Sequence, residues 1–190
     1  MPQLTYYIGV TLDGFIAGPR DEVDFFGLSD DFLSFLADEH ADLQPGHLRA
    51  ALGVADAPVK RHDTVVMGRR TYDPALDAGI ADPYPHLRTV VLSGSLPAAE
   101  APVEITAEPP LEVVRRLKAT DSPYDVYLAG GGRLAGAVSA EIDRLVVKKY
   151  PVVAGSGIRM LERPFAPEAF RLEDVRTFEN GCAVLEYARQ

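Results

Sequence analysis

The sequence predicts an α/β protein of three layers, in which a mostly parallel central sheet is flanked by helices and ends in an antiparallel hairpin. Short apolar runs rich in strand formers alternate with segments of helical periodicity over residues 1–150, as in parallel strands joined by crossover helices. Residues 170–189 instead alternate apolar and polar residues on both sides of Asn180-Gly181, which predicts a hairpin. The chain has 190 residues, 47% of them hydrophobic, which is enough for one well-buried core. We therefore expect a single domain over residues 1–190.

Six strands are expected before the hairpin. The apolar run LTYYIGV (4–10) predicts a central strand that is buried on both faces. Similar runs predict the others, at 63–68, 87–95, 103–106, 124–130 and 142–153.

The segments between these strands predict four helical pieces. Residues 29–43 begin with residues that cap helices and carry apolar side chains at helical spacing. A shorter piece is expected within 46–56. Residues 109–121 begin with proline and place Leu111, Val114 and Leu117 on one side, and residues 132–141 form the helix after the fifth strand.

Composition excludes several classes of protein. The net charge of −9 disfavours a surface for nucleic acid or anionic membranes, although a local basic pocket is compatible with it. A lone cysteine, Cys182, cannot form an intramolecular disulfide and is expected in the core. No basic and apolar leader is visible, so a cytoplasmic location is expected. The four histidines lack metal-ligand spacing, so we expect no metal and expect His40 and His47 to be solvated.

Three consecutive glycines, Gly130, Gly131 and Gly132, follow the fifth strand and precede a helix. Glycine is costly in regular structure, but it allows the backbone to approach a phosphate at a helix N-terminus. One interpretation is therefore a pyrophosphate-binding turn. The other is a tightly packed turn that binds nothing, and the glycines alone do not decide between them.

Two other strand ends carry groups that suit anions. Gly68, Arg69, Arg70 and Thr71 follow the second strand, and the hydroxyls of Ser93 and Ser95 follow the third. Arginine can hold phosphate oxygens through two hydrogen bonds, although the same arginines could form ordinary surface ion pairs. Because the carboxyl ends of parallel strands share one rim, the three strand ends together predict a dinucleotide site.

The motifs occur in an order that resembles the dihydrofolate reductase fold, in the branch similar to the C-terminal reductase domain of bacterial riboflavin biosynthesis. The resemblance rests on YYIGVTLDGFIAG (6–18), DTVVMGRRTYD (63–73), TVVLSGSLP (89–97), DVYLAGGGRLAGA (125–137) and IDRLVVKKYPVVAGSGIRML (142–161).

The resemblance implies NADPH as the cofactor and assigns residues to its parts. Ile16 and Ala17 match the segment along the nicotinamide, and Ser93 falls where the family contacts the 2′-phosphate. The segment Gly68 to Thr71 matches a motif whose arginine and threonine bind phosphates. Gly130, Gly131, Gly132 and Arg133 match the pyrophosphate turn, for which a cis peptide bond between Gly130 and Gly131 is expected.

The resemblance also implies a carboxylate near the start of the first helix that orients the substrate and assists its protonation. Asp24, Asp30 and Asp31 are the candidates, and we name Asp30 and Asp31 as catalytic residues. An acid in the first turn of a helix also stabilises the helix itself, so both interpretations stay open. Phe25 and Phe26 suit either a pocket for a flat ring or the core.

These observations predict an NADPH-dependent reductase of a small pterin-like or pyrimidine-like heterocycle, with a homodimer as its expected assembly. A nucleotide-binding module of the same fold without reductase activity is the alternative, and an unrelated enzyme of phosphorylated sugars is a second one. Lys148 and Lys149 lie on a predicted strand, so they point to opposite faces; solvent is the expected surrounding, and the alternative is that one of them faces a partner or the site.

Overall fold

The computed structural model describes residues 1–99 and 102–190, and it confirms the α/β fold. The strands, in chain order, are β1 (Leu4–Val10), β2 (Phe15–Ala17), β3 (His62–Gly68), β4 (Arg88–Leu92), β5 (Glu104–Thr106), β6 (Asp125–Ala129), β7 (Arg144–Lys149), β8 (Ile158–Arg159), β9 (Phe170–Thr177) and β10 (Ala183–Arg189). Eight of them form one sheet in the order β5-β4-β3-β6-β1-β7-β10-β9, and β2 pairs with β8 in a second, small sheet.

Six neighbouring strands of this sheet are mutually parallel: β5, β4, β3, β6, β1 and β7. Strand β10 is antiparallel to both β7 and β9. The hairpin around Asn180-Gly181 is therefore confirmed as the antiparallel edge. The helices are α1 (Asp30–Glu39), α2 (Gly46–Ala51), α3 (Arg69–Asp77), α4 (Pro110–Lys118) and α5 (Gly132–Ala137), with 3₁₀ turns at Ala41–Leu43 and Ser139–Glu141.

The core lies on both faces of the large sheet. Phe32 and Leu36 of α1 pack on one face against side chains that include Tyr7, Met67 and Tyr127. Residues of α4 and α5 pack on the other face, against a cluster that includes Leu4, Tyr6, Val66, Val90 and Leu128. Every second residue of β1 thus faces the opposite helical layer, which is why this strand is apolar throughout.

Several boundaries differ from the prediction, each for a local reason. The strand expected over 142–153 ends at Lys149, just before Pro151, which has no N–H to donate to a ladder. The strand expected over 87–95 ends at Leu92, because the hydroxyl of Ser93 accepts hydrogen bonds from the next turn. The helix expected over 29–43 ends at Glu39, and a 3₁₀ turn follows.

Three elements were not predicted. Helix α3 contains Pro74, which predicts a helix break from sequence but here lies inside the helix and removes a single backbone hydrogen bond. Strands β2 and β8 have three and two residues, too few to show a periodicity.

The sheet splits at its carboxyl rim. Strand β1 pairs with β6 only as far as Tyr7 and Ala129, but it stays paired with β7 up to Val10 and Lys149. Beyond Tyr7 the neighbours β1 and β6 therefore diverge. A gap between neighbouring strands at this rim is where an open α/β sheet binds ligands.

The packing of α5 can be tested at Gly136. A Cβ on Gly136 would lie 2.0 Å from the carbonyl oxygen of Glu162, an impossible contact with backbone. We expect Gly136→Ala to lower the free energy of unfolding by about 1–3 kcal/mol, although alanine favours helix by about 1 kcal/mol. Urea denaturation measures the change. Gly27→Ala, where a Cβ meets nothing within 4 Å, is the control and should change stability by less than about 0.5 kcal/mol. If Gly136→Ala were as stable as the parent protein, or more stable, the close packing of α5 against Glu162 would be contradicted.

Candidate functional site

A groove of about 480 Å³ lies at the carboxyl rim, beside the split between β1 and β6. Of the eleven residues predicted to bind cofactor, the structure brings ten together in its lining: Ile16, Ala17, Gly68, Arg69, Arg70, Thr71, Gly130, Gly131, Gly132 and Arg133. Ile8, Val23, Leu134 and Ile158 add apolar surface to the same groove. One concave surface thus combines an apolar wall with three arginines, and its role as a cofactor site stays a prediction.

The N-terminus of α3 opens into this groove. The helix begins at Arg69 directly after β3, and its N-cap residue, Gly68, has no side chain that could accept a hydrogen bond from the first turn. The free N–H groups and the helix dipole at this end favour a negatively charged ligand. Thr71, in the same turn, places its hydroxyl 3.4 Å from the backbone nitrogen of Gly131.

The three consecutive glycines are required for different reasons. Gly130 has a φ of +89°, and a Cβ there would lie 2.0 Å from the hydroxyl oxygen of Thr71. A Cβ on Gly132 would lie 2.0 Å from the carbonyl oxygen of Arg159. These two glycines are therefore required by the protein's own packing. Only Gly131 faces open space, because nothing lies within 4 Å of its Cβ position, so it is the one glycine whose backbone a ligand could approach.

Each arginine of the groove is held by an exposed acid. Arg69 donates from Nε to Asp73, Arg70 bonds both carboxylate oxygens of Asp21 at 2.8 Å, and Arg133 lies 3.3 Å from Glu162. The arginine side chains are between 40% and 83% exposed, so these pairs are screened by solvent and contribute little stability. An incoming anion could replace the acids at low cost.

Ser93 is the one predicted cofactor residue that does not line the groove. It is buried, and its hydroxyl oxygen accepts hydrogen bonds from the backbone nitrogens of Ser95 and Leu96, which form the turn after β4. The neighbouring Ser95 instead accepts a hydrogen bond of 2.9 Å from Arg69. The hydroxyl that bonds Arg69 is therefore that of Ser95, two residues after the predicted Ser93.

The loop that carries Ile16 and Ala17 is anchored by Asp13. Its carboxylate accepts a hydrogen bond from the hydroxyl of Thr11 at 2.6 Å, and others from the backbone nitrogens of Ala154 and Gly155 at 3.1 and 2.7 Å. These bonds lower the pKa of Asp13 to about 2. Asp13 therefore fixes the glycine-rich segment after β7 against the first loop.

Lys148 is the residue that the sequence analysis misjudged. Its backbone pairs with Gly9 on the far side of the split from the groove, and its side chain points into the α1 face. The ammonium lies 3.9 Å from the centroid of the Tyr7 ring, and burial lowers the lysine pKa to about 8. No carboxylate of the described residues pairs with it. The side chain is half-buried and its ammonium lies over the Tyr7 ring, so the expectation that it faces solvent was wrong, and alternation along the strand does not show which of the two lysines takes this position.

A row of aromatic rings, formed by Tyr150, Phe26 and Phe25, begins beside Gly9, the residue that pairs with Lys148. The Tyr150 ring approaches Gly9, where a Cβ would lie 3.2 Å from it, and Phe26 packs on Tyr150 with ring centroids 4.5 Å apart. Phe25 packs on Phe26 in turn. Cys182 is confirmed as a buried core residue, and burial raises the pKa of its thiol to about 11. The surroundings of Lys148 are therefore aromatic and uncharged.

The aspartates predicted as catalytic lie outside the lining of the groove. Asp31 accepts hydrogen bonds from Ser29 and from its own neighbour Phe32 on one oxygen, and from the backbone nitrogen of Glu179 at 2.9 Å on the other. These bonds lower its pKa, led by the one from Ser29, and they tie α1 to the hairpin turn. Asp30 begins α1 beside it and is exposed, as is Asp24. Their catalytic roles stay predictions.

Two further findings concern metals and membranes. Within residues 1–99 and 102–190, no three histidine, cysteine or acidic side chains are grouped so that they could hold a metal ion. His40, expected in solvent, is buried, so that expectation was wrong. No helix among the described residues has the length and hydropathy needed to cross a bilayer.

Comparison with known proteins supports the fold assignment. No family model matches the chain. It is 28% identical over 187 residues to the uncharacterised protein YwjB of Bacillus subtilis, covering 96% of this chain and 95% of that one. A Shewanella sp. PV-4 structure assigned provisionally to riboflavin biosynthesis superposes with a TM-score of 0.70 at 19% identity, over 99% of both chains.

Two bifunctional proteins contain the same fold as one part. RibD of Acinetobacter baumannii matches with a TM-score of 0.66 at 16% identity. The diaminohydroxyphosphoribosylaminopyrimidine deaminase/5-amino-6-(5-phosphoribosylamino)uracil reductase of Thermotoga maritima matches with a TM-score of 0.65 at 16% identity. The whole of this chain aligns with 58% and 57% of theirs. It therefore has the fold of the riboflavin-pathway reductases.

The hydrogen bonds of Asp13 make a pH-dependent contribution to stability. Because the folded pKa of about 2 lies below the ordinary value of 3.8, this contribution is present above about pH 4 and is lost as the pH falls toward 2. We expect Asp13→Asn to be less stable than the parent at neutral pH, with a difference that shrinks between pH 4 and pH 2. Urea denaturation across this range measures it. Asp56→Asn, at an exposed aspartate, is the control, and a difference independent of pH would refute the assignment.

Proposed function

We propose that this chain is an NADPH-dependent reductase that transfers a hydride to a small heterocycle, and that the groove binds the cofactor. The observation that carries the proposal is the convergence of ten separately predicted residues on one groove, beside an uncapped helix N-terminus. In a chain of net charge −9, three arginines around one groove favour a ligand with several phosphates.

The residues present fit the parts of this cofactor. Arg69 and Ser95 would hold the 2′-phosphate, and Arg70, Thr71 and the open backbone of Gly131 would hold the pyrophosphate. Ile16 and Ala17 would lie along the nicotinamide and exclude water from it. NADPH supplies the hydride when bound, and the protein supplies its alignment with the substrate.

The substrate end lies across the split between β1 and β6. There Lys148 presents a cation without a carboxylate partner among the described residues, at the end of an aromatic wall. A buried charge needs a counter-charge or a strong hydrogen-bond acceptor. We propose that Lys148 donates to a carbonyl or anionic oxygen of the heterocycle, which favours a pyrimidinedione-like ring.

We further propose that the protein is a cytoplasmic homodimer. Its ligand is a small heterocycle, and it binds neither nucleic acid nor membranes. The acidic composition supports the exclusion of nucleic acid.

Cofactor binding and turnover test the proposal separately. Calorimetry should detect NADPH binding, and loss of NADPH absorbance should occur with at least one member of a panel of pterins and ribosylated aminouracils. Binding with no turnover across the panel would favour a nucleotide-binding module of the same fold. An absence of NADPH binding would overturn the proposal and favour an enzyme of phosphorylated sugars.

Arg69 provides a test of cofactor choice. We expect Arg69→Ala to weaken NADPH binding by about 1.5–3 kcal/mol, as for a lost charge-assisted hydrogen bond, and to leave NADH binding nearly unchanged. Calorimetric titration with both nucleotides measures this difference. Asp73→Asn, which removes the acid that competes for Arg69, is the matched control and should not weaken NADPH binding. Equal losses for both nucleotides would show that Arg69 does not contact the 2′-phosphate.

Lys148 provides a test of the substrate end. Lys148→Met keeps the length of the stem and removes the cation, so we expect the KM of the turned-over heterocycle to rise at least tenfold, with NADPH affinity within twofold of the parent. Steady-state kinetics and calorimetry measure the two values. Lys149→Met, at the strand neighbour whose ammonium donates to the carbonyl of Leu12, is the control and should leave both values unchanged. A parallel loss of NADPH affinity in Lys148→Met would place the lysine in the cofactor site.

A further inference from the structure

Strands β7, β10 and β9 end the large sheet, and one face of these three strands is apolar. Residues that pair directly across neighbouring strands project to the same face of a sheet. On this face the register aligns two rows of three residues, which are Leu145-Tyr187-Leu172 and Val147-Leu185-Val175. We call the block formed by these six residues the outer face. The proposed reductase chemistry does not use it.

A bulge in β9 keeps the outer face apolar. Leu172 and Val175 are three residues apart, so in a regular strand they would project to opposite faces. The register shifts between Glu186 and Tyr187, and the extra residue in β9, Glu173, returns Leu172 to the side of Val175. The alternation of β9 is thus broken at the one position where the break keeps both apolar side chains together.

The acids of β9 and β10 lie on the opposite side of the sheet, where α1 packs. The register places Glu186 and Asp174 on that side, and Arg144 joins them there. Arg144 forms ion pairs with Glu173 at 2.9 Å and with Glu186 at 3.4 Å, and Arg176 pairs with Asp174 at 3.0 Å. These carboxylates are therefore directed away from the outer face.

The outer face lies beyond the layers that cover the rest of this side of the sheet. The hydrophobic cluster that α4 and α5 form there contains no residue of β10. The small sheet of β2 and β8 packs on the β1 side, around Val10 and Val147. Leu185 belongs to no hydrophobic cluster of the described residues, and Leu172 and Val175 are 48% and 45% exposed. A contiguous apolar patch without a covering layer is typical of an interface.

The charges favour a second copy of this chain as the occupant of the outer face. Because the net charge is −9, two copies repel each other over most of their surface. The outer face carries no charged side chain, so this repulsion is weakest there, and a charged partner would find nothing with which to pair. A two-fold dimer brings the same face of both copies into contact, which an uncharged apolar face permits.

The two rows of the outer face also complement each other in size. The row through Tyr187 is bulkier than the row through Leu185, whose other members are valines. A two-fold axis in the plane of the face, running across the strands between the rows, places each bulky row over the smaller row of the other copy. Large and small side chains then alternate across the contact, as they do between packed sheets.

We propose that the outer face is the interface of a homodimer, in which the sheets of two copies stack face to face about this axis. The proposal rests on the homodimer proposed above and gives it an interface. Its tests need neither NADPH nor a substrate, so the interface can fail while the reductase proposal stands.

Sedimentation equilibrium of the full chain tests the interface. We expect the parent to have twice the chain mass of 20.6 kDa at micromolar concentration. The double variant Leu172→Asp/Val175→Asp should raise the Kd of the dimer at least a hundredfold, because it buries carboxylates without partners in the contact. Arg176→Glu makes the same change of net charge on the opposite side of β9, so it is the control and should remain dimeric. A monomeric parent, or a dimer that the double variant leaves intact, would overturn the proposal.

Cross-linking tests the contact without adding charge to the outer face, so it does not depend on how well the double variant folds. Cys182 is buried, so an introduced surface cysteine is the reactive one. A short bismaleimide should join Val175→Cys into a covalent dimer and should leave Arg176→Cys, the next residue on the opposite side of β9, uncoupled. Equal cross-linking of both variants, or a dimer in which Val175→Cys stays uncoupled, would place the contact elsewhere and overturn the proposal.

Discussion

The early divergence of β1 from β6 is the constraint on which both halves of the candidate site depend. The two strands stop pairing after Tyr7 and Ala129, where Gly130 turns the chain with a φ of +89° toward α5. Thr71 occupies the space that a Cβ on Gly130 would need, so the direction of this turn is fixed by α3. Strand β1 continues beside β7 and places Gly9 and Lys148 on the other side. One local break in a sheet therefore separates the arginine-lined groove from an aromatic wall with a half-buried lysine.

The arginines of the groove illustrate how an acidic protein can hold an anion site. Arg69, Arg70 and Arg133 are each oriented by an acid on an adjacent turn or loop. The pairs are exposed and weak, so they hold the side chains near the groove without competing strongly with a phosphate. These acids also make the electrostatic potential around the protein unfavourable to a long polyanion such as nucleic acid. Binding then depends on hydrogen-bond geometry at the helix terminus, which a compact phosphate can satisfy.

The sequence predicts the chain order of elements and the phosphate-suited strand ends because these depend on local patterns. It misses features that depend on which strands become neighbours. Lys148 looks solvent-exposed in a linear pattern, but its ammonium lies over the ring of Tyr7 on the neighbouring strand. Ser93 and Ser95 are equivalent in sequence, and only the turn geometry shows that Ser93 bonds the backbone while Ser95 meets Arg69. Likewise, three adjacent glycines look alike, yet two are explained by contacts with Thr71 and Arg159, which are distant in sequence.

The electrostatics of the substrate end favour one class of ring over another. The resemblance to dihydrofolate reductase implies a carboxylate that orients a pterin, which suits a ring that presents N–H donors. Here one oxygen of Asp31 accepts hydrogen bonds at the start of α1 and the other accepts one from Glu179 of the hairpin, so this carboxylate is engaged in structure. Lys148, which is half-buried, instead lacks a carboxylate partner among the described residues, and its ammonium lies over the Tyr7 ring. Under the proposed function, a cation favours a ring that presents oxygen acceptors, as a pyrimidinedione does.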